Sequence, residues 1–218
     1  MNPTVLFQIY ECQNPQCRLR FPTNFSIQQF SKCPLCGSQV EQSGKPFSNA
    51  KFKPNTDGKS LNKISVLLDN LRSTLNVGSI FRSANCTSIE HIYCCGTTPT
   101  PAHSKFGKSG LNAEQTVPWS YHHNALDVIS ENKKNGFEVT SLELATGSAS
   151  IFEQNQKNFP NNHLLVVGNE LSGVDPAILD LSDSIVYIPM LGSKDSLNVA
   201  IAAAIAFYVY RFSLKIMD

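Results

Sequence analysis

The stretch that decides the fold is Leu164 to Arg211, LLVVGNELSGVDPAILDLSDSIVYIPMLGSKDSLNVAIAAAIAFYVYR. Leu164 to Val167 is a continuous apolar run, the pattern of a strand buried on both faces. It ends abruptly in Gly168-Asn169-Glu170, and a glycine there lets the backbone approach a ligand closely, so the strand end reads as a site. Asp175 followed by Pro176 supplies an N-cap and a first-turn proline, which predicts a short helix over Pro176 to Leu181. A second apolar strand, Ser184 to Ile188, is stopped by Pro189. Beyond the loop Met190 to Lys194, Asp195 or Ser196 can cap a long helix that is apolar almost all round from Val199 to Phe207, as a buried helix should be. Its apolar part falls short of the roughly 20 residues that span a bilayer, so no membrane partner is expected.

Outward from that stretch, composition sets the class. The chain has 218 residues, 41% hydrophobic and 16% charged, which suits one sizeable core with a small appendage and excludes a disordered chain. Its formal charge of +1 hides an asymmetry: residues 1–60 carry seven Lys+Arg against three Asp+Glu (+4), and 61–218 carry eleven against fourteen (−3). Four zinc-bound thiolates would lower the first figure further, so affinity for a polyanion has to come from local placement of charge. Met1 to Tyr10 has neither a basic leader nor a long apolar run, and a cytoplasmic location is expected.

Seven cysteines, odd in number, argue for metal over disulfides. Cys12-Gln-Asn-Pro-Gln-Cys17 and Cys33-Pro-Leu-Cys36-Gly37 are two knuckles separated by fifteen residues, a spacing that brings four thiolates around one tetrahedral zinc. Cys12, Cys17, Cys33 and Cys36 leave no open position, so the ion is a structural staple in a zinc ribbon over residues 1–44. Phe7, Tyr10, Phe21, Phe25 and Phe30 are available as its small core. Cys86, Cys94 and Cys95 read as buried thiols. Residues 45–63, rich in Lys, Ser, Asn, Gly and Pro, read as a linker.

From residue 64 onward strands alternate with helices, which predicts an α/β domain over 64–218 with a mainly parallel sheet. Ile64 to Leu68 and Ile89 to Cys95 are apolar strands, and Asn124 to Asn135 has helical spacing with Gly136 as its C-cap. A strand over Phe137 to Leu144 follows. Leu68 runs into Asp69 to Ala84, which reads as a polar loop and then a helix and contains Asn76, Gly78 and Arg82.

Gly168-Asn169-Glu170-x-x-Gly173-Val174, Ile188-Pro189-Met190-x-Gly192 and Ser196-Leu197-Asn198-Val199-Ala200 resemble the last two signature motifs of the SpoU/TrmH RNA ribose methyltransferases. Asn76, Gly78 and Arg82 match the first motif of that family, and KFGKSGLNAEQTVPW (Lys105 to Trp119) is similar to its substrate-side loop, with Asn112 where relatives often carry glycine. His103, His122 and His123 read as surface or RNA-proximal residues, not as ligands or bases. The resemblance implies a C-terminal trefoil knot that holds S-adenosylmethionine, a homodimer through the last helix, and methyl transfer to a ribose 2′-hydroxyl of RNA, either tRNA or rRNA. It implies cofactor contacts at Gly168, Ile188 and Leu197, and polar site residues at Asn76, Glu170, Ser196 and Asn198 that orient Arg82 and the ribose. Phe207, Tyr208 and Tyr210 would add bulk to the dimer surface.

Arg82 has two readings: the general base that the family expects, or a permanent cation that clamps a phosphate while another group takes the proton. A free guanidinium has a pKa of about 12.5, and lowering it to about 8 would need roughly 6 kcal/mol of destabilisation of the charged form. A catalytically silent RNA-binding protein on the same scaffold is the alternative function.

Overall fold

The computed structural model describes residues 6–24, 30–48, 62–103, 106, 110, 112–153 and 161–212. The chain divides into two compact units, Met1–Lys59 and Ser60–Asp218.

In the first unit, β1 (Phe7–Cys12) pairs antiparallel with β2 (Arg20–Asn24) on one side and β3 (Val40–Phe47) on the other. β1 alternates half-buried and buried residues, the period of a strand with one covered face. Tyr10 is the buried centre of a small cluster in which its ring lies 6.1 Å from Phe21 and 6.3 Å from Phe30. Phe7 instead packs against Phe47 with its ring tilted, and Phe25 falls outside the described residues. β3 extends the sheet into Lys45–Phe47, where the sequence reads as linker, because Phe47 pairs with Phe7 of β1 beyond a register shift; most of the remaining linker lies outside the described residues.

The second unit is a seven-stranded sheet, every described pairing parallel, in the order β6-β5-β4-β9-β7-β10-β8. The strands are β4 (Lys63–Asp69), β5 (His91–Cys95), β6 (Trp119–His122), β7 (Glu138–Leu142), β8 (Ala149–Ser150), β9 (Asn162–Val167) and β10 (Ser184–Tyr187). The helices are α1 (Thr74–Cys86), α2 (Ala125–Lys134), α3 (Pro176–Leu181) and α4 (Val199–Phe212). β6 and β8 are edge strands that the sequence reading missed, since both are too short for an alternating pattern to register.

β4 and β9 are central and buried on both faces, which is why they read as unbroken apolar runs. Ile64, Val66, Leu68, Leu165 and Val167 share one core with Ile80 and Phe81 of α1 and Ala203 and Phe207 of α4. Leu67, Leu164, Val166 and Val139 face the other way, onto Val128 and Ile129 of α2 and Ile178 of α3. Helices therefore cover both faces, the arrangement parallel sheets require.

α4 departs from expectation. Its sequence is apolar all round, but Ala200, Ala203, Ala206, Phe207 and Tyr210 are buried while Ile201, Tyr208 and Phe212 are exposed. Phe207 and Tyr210 thus belong to the core, and only Tyr208 of the expected bulky set faces outward. Its cap is also one turn later than expected: the Asn198 side chain accepts from Ala200 N at 2.9 Å and Ile201 N at 3.4 Å. Cys94 and Cys95 are buried as expected, whereas Cys86, at the end of α1, is exposed. No helix among the described residues is long and apolar enough to cross a membrane.

Chain order explains where a ligand can sit. From β4 the chain runs outward through β5 and β6, then returns past β4 to lay down β7, β9 and β10 on its other side. The connections leaving β4 and β9 diverge at their carboxyl ends, and such a switch point leaves a crevice between them.

Candidate active site

The carboxyl ends of β7, β9 and β10, the first turn of α1 and the loop before α4 enclose a cleft. One part, of about 600 Å³, is lined by Asn76, Glu143, Gly168, Glu170, Ser196 and Asn198 among others. The adjoining part, of about 500 Å³, shares Leu142, Glu143, Ser196, Leu197 and Ala202 and continues to Ile188 and Met190. The combined cleft has the size and apolar walls of a small-molecule site.

At its floor the polar residues form a directional chain. Asn198 Nδ2 donates to Asn76 Oδ1 at 3.0 Å, and Asn76 Nδ2 donates to Glu170 Oε1 at 2.9 Å. Glu170 also accepts from the backbone N–H groups of Arg72 at 2.8 Å and Ser73 at 3.1 Å. These amides precede α1, whose first turn Ser73 caps by accepting from Asn76 N at 3.3 Å. Partial burial raises the Glu170 carboxyl, but the donors from Asn76, Arg72 and Ser73 outweigh it and hold the group below the usual carboxylate range. The same chain fixes α4, because the Asn198 oxygen caps that helix while its nitrogen reaches Asn76. Three residues distant in sequence thus lock three elements around one point.

Gly168, on the cleft wall, also serves its own loop. A Cβ at that position would lie 2.3 Å from Gly173 C and Val174 N, so the glycine makes room for the far side of its own loop. Asn169 and Gly173 exchange backbone hydrogen bonds of 3.0 Å across that loop. The Asn169 side chain accepts from Leu171 N at 2.9 Å and Ser172 N at 3.2 Å, and donates to Asn70 O at 2.6 Å, tying the β9 loop to the β4 loop. Gly173 has φ +73, and a Cβ there would meet Glu143 Oε2 at 2.4 Å.

Glu143 is a cleft residue that sequence reasoning missed. It follows β7 directly, accepts from Val174 N at 3.0 Å and Leu144 N at 3.0 Å, and so pins the Gly173 turn to the β7 loop. The available signal was its place as the first polar residue after a parallel strand.

The structure joins Asn198, Asn76 and Glu170 in one hydrogen-bonded chain, and brings Gly168, Ile188, Leu197 and Ser196 onto the cleft wall. Ser196 makes a single hydrogen bond among the described residues, donating to Asp195 Oδ1 at 3.4 Å. Arg82 stands apart: it is exposed on α1, lines neither part of the cleft, and has no hydrogen bond or ion pair among the described residues. In particular, Glu170 spends its oxygens on α1 and Asn76 and does not reach Arg82. Asn112, at the glycine-frequented position of the Lys105–Trp119 loop, has φ +67, a conformation that asparagine tolerates better than other non-glycine residues. Several neighbours in that loop lie outside the described residues.

In the first unit, Cys12, Cys17, Cys33 and Cys36 have Sγ atoms all within 4.8 Å of one another, with Cys12 to Cys36 at 3.4 Å and Cys17 to Cys33 at 3.8 Å. Leu35 N points at Cys33 Sγ from 3.4 Å, and Gly37, with φ +74, closes the knuckle. A tetrahedral ion at about 2.3 Å from each sulfur sets the sulfurs about 3.8 Å apart, so the cluster fits zinc.

Comparison with known proteins follows the same division. The model of the SpoU rRNA Methylase family matches residues 63–208. A 23S rRNA (guanosine(2553)-2′-O)-methyltransferase of Bacillus subtilis is 30% identical over 146 residues, covering 67% of this chain and 57% of the relative. A tRNA (guanosine(18)-2′-O)-methyltransferase of Aquifex aeolicus is 28% identical over 149 residues, covering 66% of each. The chain therefore spans between 57% and 66% of the length of these curated relatives. Among solved structures, the A. aeolicus TrmH/SpoU tRNA modifying enzyme superposes with a TM-score of 0.62 at 27% identity, covering 70% of this chain and 76% of the other. An AdoMet-bound rRNA methyltransferase from Sinorhizobium meliloti gives a TM-score of 0.65 at 25% identity, covering 82% and 66%.

Proposed function

The chain belongs to the SpoU rRNA methylase family, and from that membership we propose that it transfers a methyl group from S-adenosylmethionine to a ribose 2′-hydroxyl of tRNA or rRNA. The observation that carries this reading is the Asn198–Asn76–Glu170 chain beside a cleft of about 600 Å³ at the switch point of the sheet. Relatives named as RNA 2′-O-methyltransferases and a neighbour with bound AdoMet support it.

S-adenosylmethionine supplies an activated methyl carbon; everything else falls to the protein. Gly168, Ile188 and Leu197 would hold the cofactor through backbone groups and apolar surface, together with Leu142 and Ala202. Asn76, Glu170 and Asn198 act as positioning residues. With their side-chain oxygens already committed to protein donors, they fix α1 and α4 at the separation the reaction needs, a preorganisation worth several kcal/mol when it aligns reacting atoms. Arg82, exposed and without a described partner, is suited to clamp a phosphate as a permanent cation.

The remaining parts of the reading concern assembly. The four cysteines hold a structural zinc in an N-terminal ribbon, supported by the sulfur spacing. The chain from Leu164 to Arg211 is threaded as a trefoil knot, supported by the return of α4 to pack on α1 after the strands around the cleft are complete. The protein is a homodimer through α4, whose exposed Ile201, Tyr208 and Phe212 form an apolar face. Its proposed location is the cytoplasm, a reading supported by the free cysteines of the four-thiol cluster and by relatives named as RNA modifiers.

The test is transfer of labelled methyl from S-adenosylmethionine onto size-fractionated host RNA, followed by nuclease mapping. Incorporation into one fraction at a defined nucleotide is expected. Stoichiometric cofactor binding with no transfer to any RNA would leave a binding protein instead.

A further inference from the structure

Resting on the methyl-transfer reading, we propose that Asp195 is the proton acceptor of the reaction and draws the 2′-hydroxyl proton through Ser196. Three carboxylates line the cleft, Glu143, Glu170 and Asp195. Glu143 has one oxygen on Val174 N and the other on Leu144 N. Glu170 has one on Arg72 N and the other on Ser73 N and Asn76 Nδ2. Every oxygen of these two carboxylates is thus engaged by a donor that helps to hold the cleft together. Asp195 alone among the three has an oxygen free of partners among the described residues, and its only bond is the one from Ser196.

Ser196 is placed to relay. It lines both parts of the cleft, so it stands where the apolar wall for the cofactor meets the polar floor of Asn76, Glu170 and Asn198. Its hydroxyl already donates to Asp195 Oδ1, which leaves the Ser196 oxygen as an acceptor for an incoming hydroxyl. The bond is long at 3.4 Å, as such bonds often are before substrate is bound. The other titratable groups lining the cleft are Tyr187 and Lys194, and Lys194 is the ammonium next to Asp195 in sequence.

The step balances without a further reagent. The ribose 2′-oxygen gains the methyl as the bond from that carbon to sulfur breaks, and the electron pair stays on sulfur. The 2′-hydroxyl proton passes to Ser196 Oγ while the Ser196 proton passes to Asp195 Oδ1. Asp195 then returns its proton to water. This assignment relieves Arg82 of a role for which its guanidinium would have to be deprotonated.

The experiment is single-turnover methyl transfer at saturating RNA and cofactor, from about pH 4.5 to about pH 8, for wild type, Asp195→Asn, Asp195→Glu and Ser196→Ala. Calorimetry of S-adenosylmethionine binding to each variant runs beside it. We expect an acid limb in wild type, a loss of roughly 10² to 10⁴ in rate with disappearance of that limb in Asp195→Asn, and partial recovery in Asp195→Glu. Ser196→Ala should lose rate to a similar extent, and cofactor affinity should stay within about threefold throughout. An Asp195→Asn enzyme that keeps the wild-type rate, or one that is slower with its acid limb intact, overturns the proposal and leaves the methyltransferase reading standing. A wild type that binds cofactor yet methylates no RNA removes both.

Discussion

Glu170 is legible in the sequence as a motif residue, but its partners are not, because Arg72, Ser73 and Asn76 reach it, and Asn198 reaches Asn76, only when three elements converge. The same holds for Gly168, whose small size serves the turn at Gly173 and Val174. Arg82, which the motif places with the ribose, lines neither part of the cleft and has no ion pair among the described residues. As a phosphate clamp it predicts that Arg82→Ala lowers RNA affinity about tenfold and lowers the salt dependence of binding by about one ion. Arg82→Lys should recover part of the affinity, without the planar fork. Single-turnover rates of the RNA-saturated complexes should keep the wild-type pH profile; a shift of that profile to lower pH in Arg82→Lys would instead identify Arg82 as the base.

His163 carries a second prediction at this scale. It lies on β9, buried, with its ring 4.6 Å from that of Tyr210, and burial lowers its pKa from the ordinary 6.5 to about 3. Between pH 6.5 and about pH 3 the unfolded chain binds a proton there that the native chain does not. Stability is therefore complete above 6.5 and falls as pH drops, by at most about 1.4 kcal/mol per pH unit from this group. Denaturant midpoints across that range should show the fall in wild type and a flatter profile in His163→Leu. Equal slopes in the two proteins would refute the assignment.

At the scale of elements, the helices and central strands could be read because each carries its own local signal. Asp175 and Asn124 cap α3 and α2 where polar residues precede apolar spacing, and β4 and β9 are unbroken apolar runs. The edge strands β6 and β8 had no such signal, and β3 was read partly as linker because its outer residues are exposed and polar. α4 could be recognised as a helix but not oriented, since alanines on every side give no contrast between its faces. The cysteine cluster is an element whose stability should depend on its metal. The purified protein is expected to carry about one zinc per chain, and Cys33→Ser to release it and unfold residues 6–48 while cofactor binding by the second unit persists. Absence of metal by elemental analysis, or loss of cofactor binding in Cys33→Ser, would contradict this.

At the scale of the whole molecule, alternation of strands and helices gave the parallel α/β class, but the order of strands was beyond local pattern. That β9 inserts between β4 and β7 depends on long-range pairing such as Leu67 with Val166, a hundred residues away in the chain, and it is this insertion that creates the crevice. The exposed Ile201, Tyr208 and Phe212 on α4 predict a dimer, which sedimentation at micromolar concentration should register. Replacement of Tyr208 by Glu should shift it to monomer; a wild-type monomer with full activity would exclude the dimer.

The claim on which the rest depends is that this cleft methylates ribose and not a base. The direct measurement is nucleoside mass spectrometry of RNA treated with the protein and S-adenosylmethionine bearing a trideuterated methyl group. The label should appear on the sugar of a single 2′-O-methylnucleoside and vanish with Asn76→Ala or Asn198→Ala. Label on a base, or none at all from protein with cofactor bound, would contradict the account.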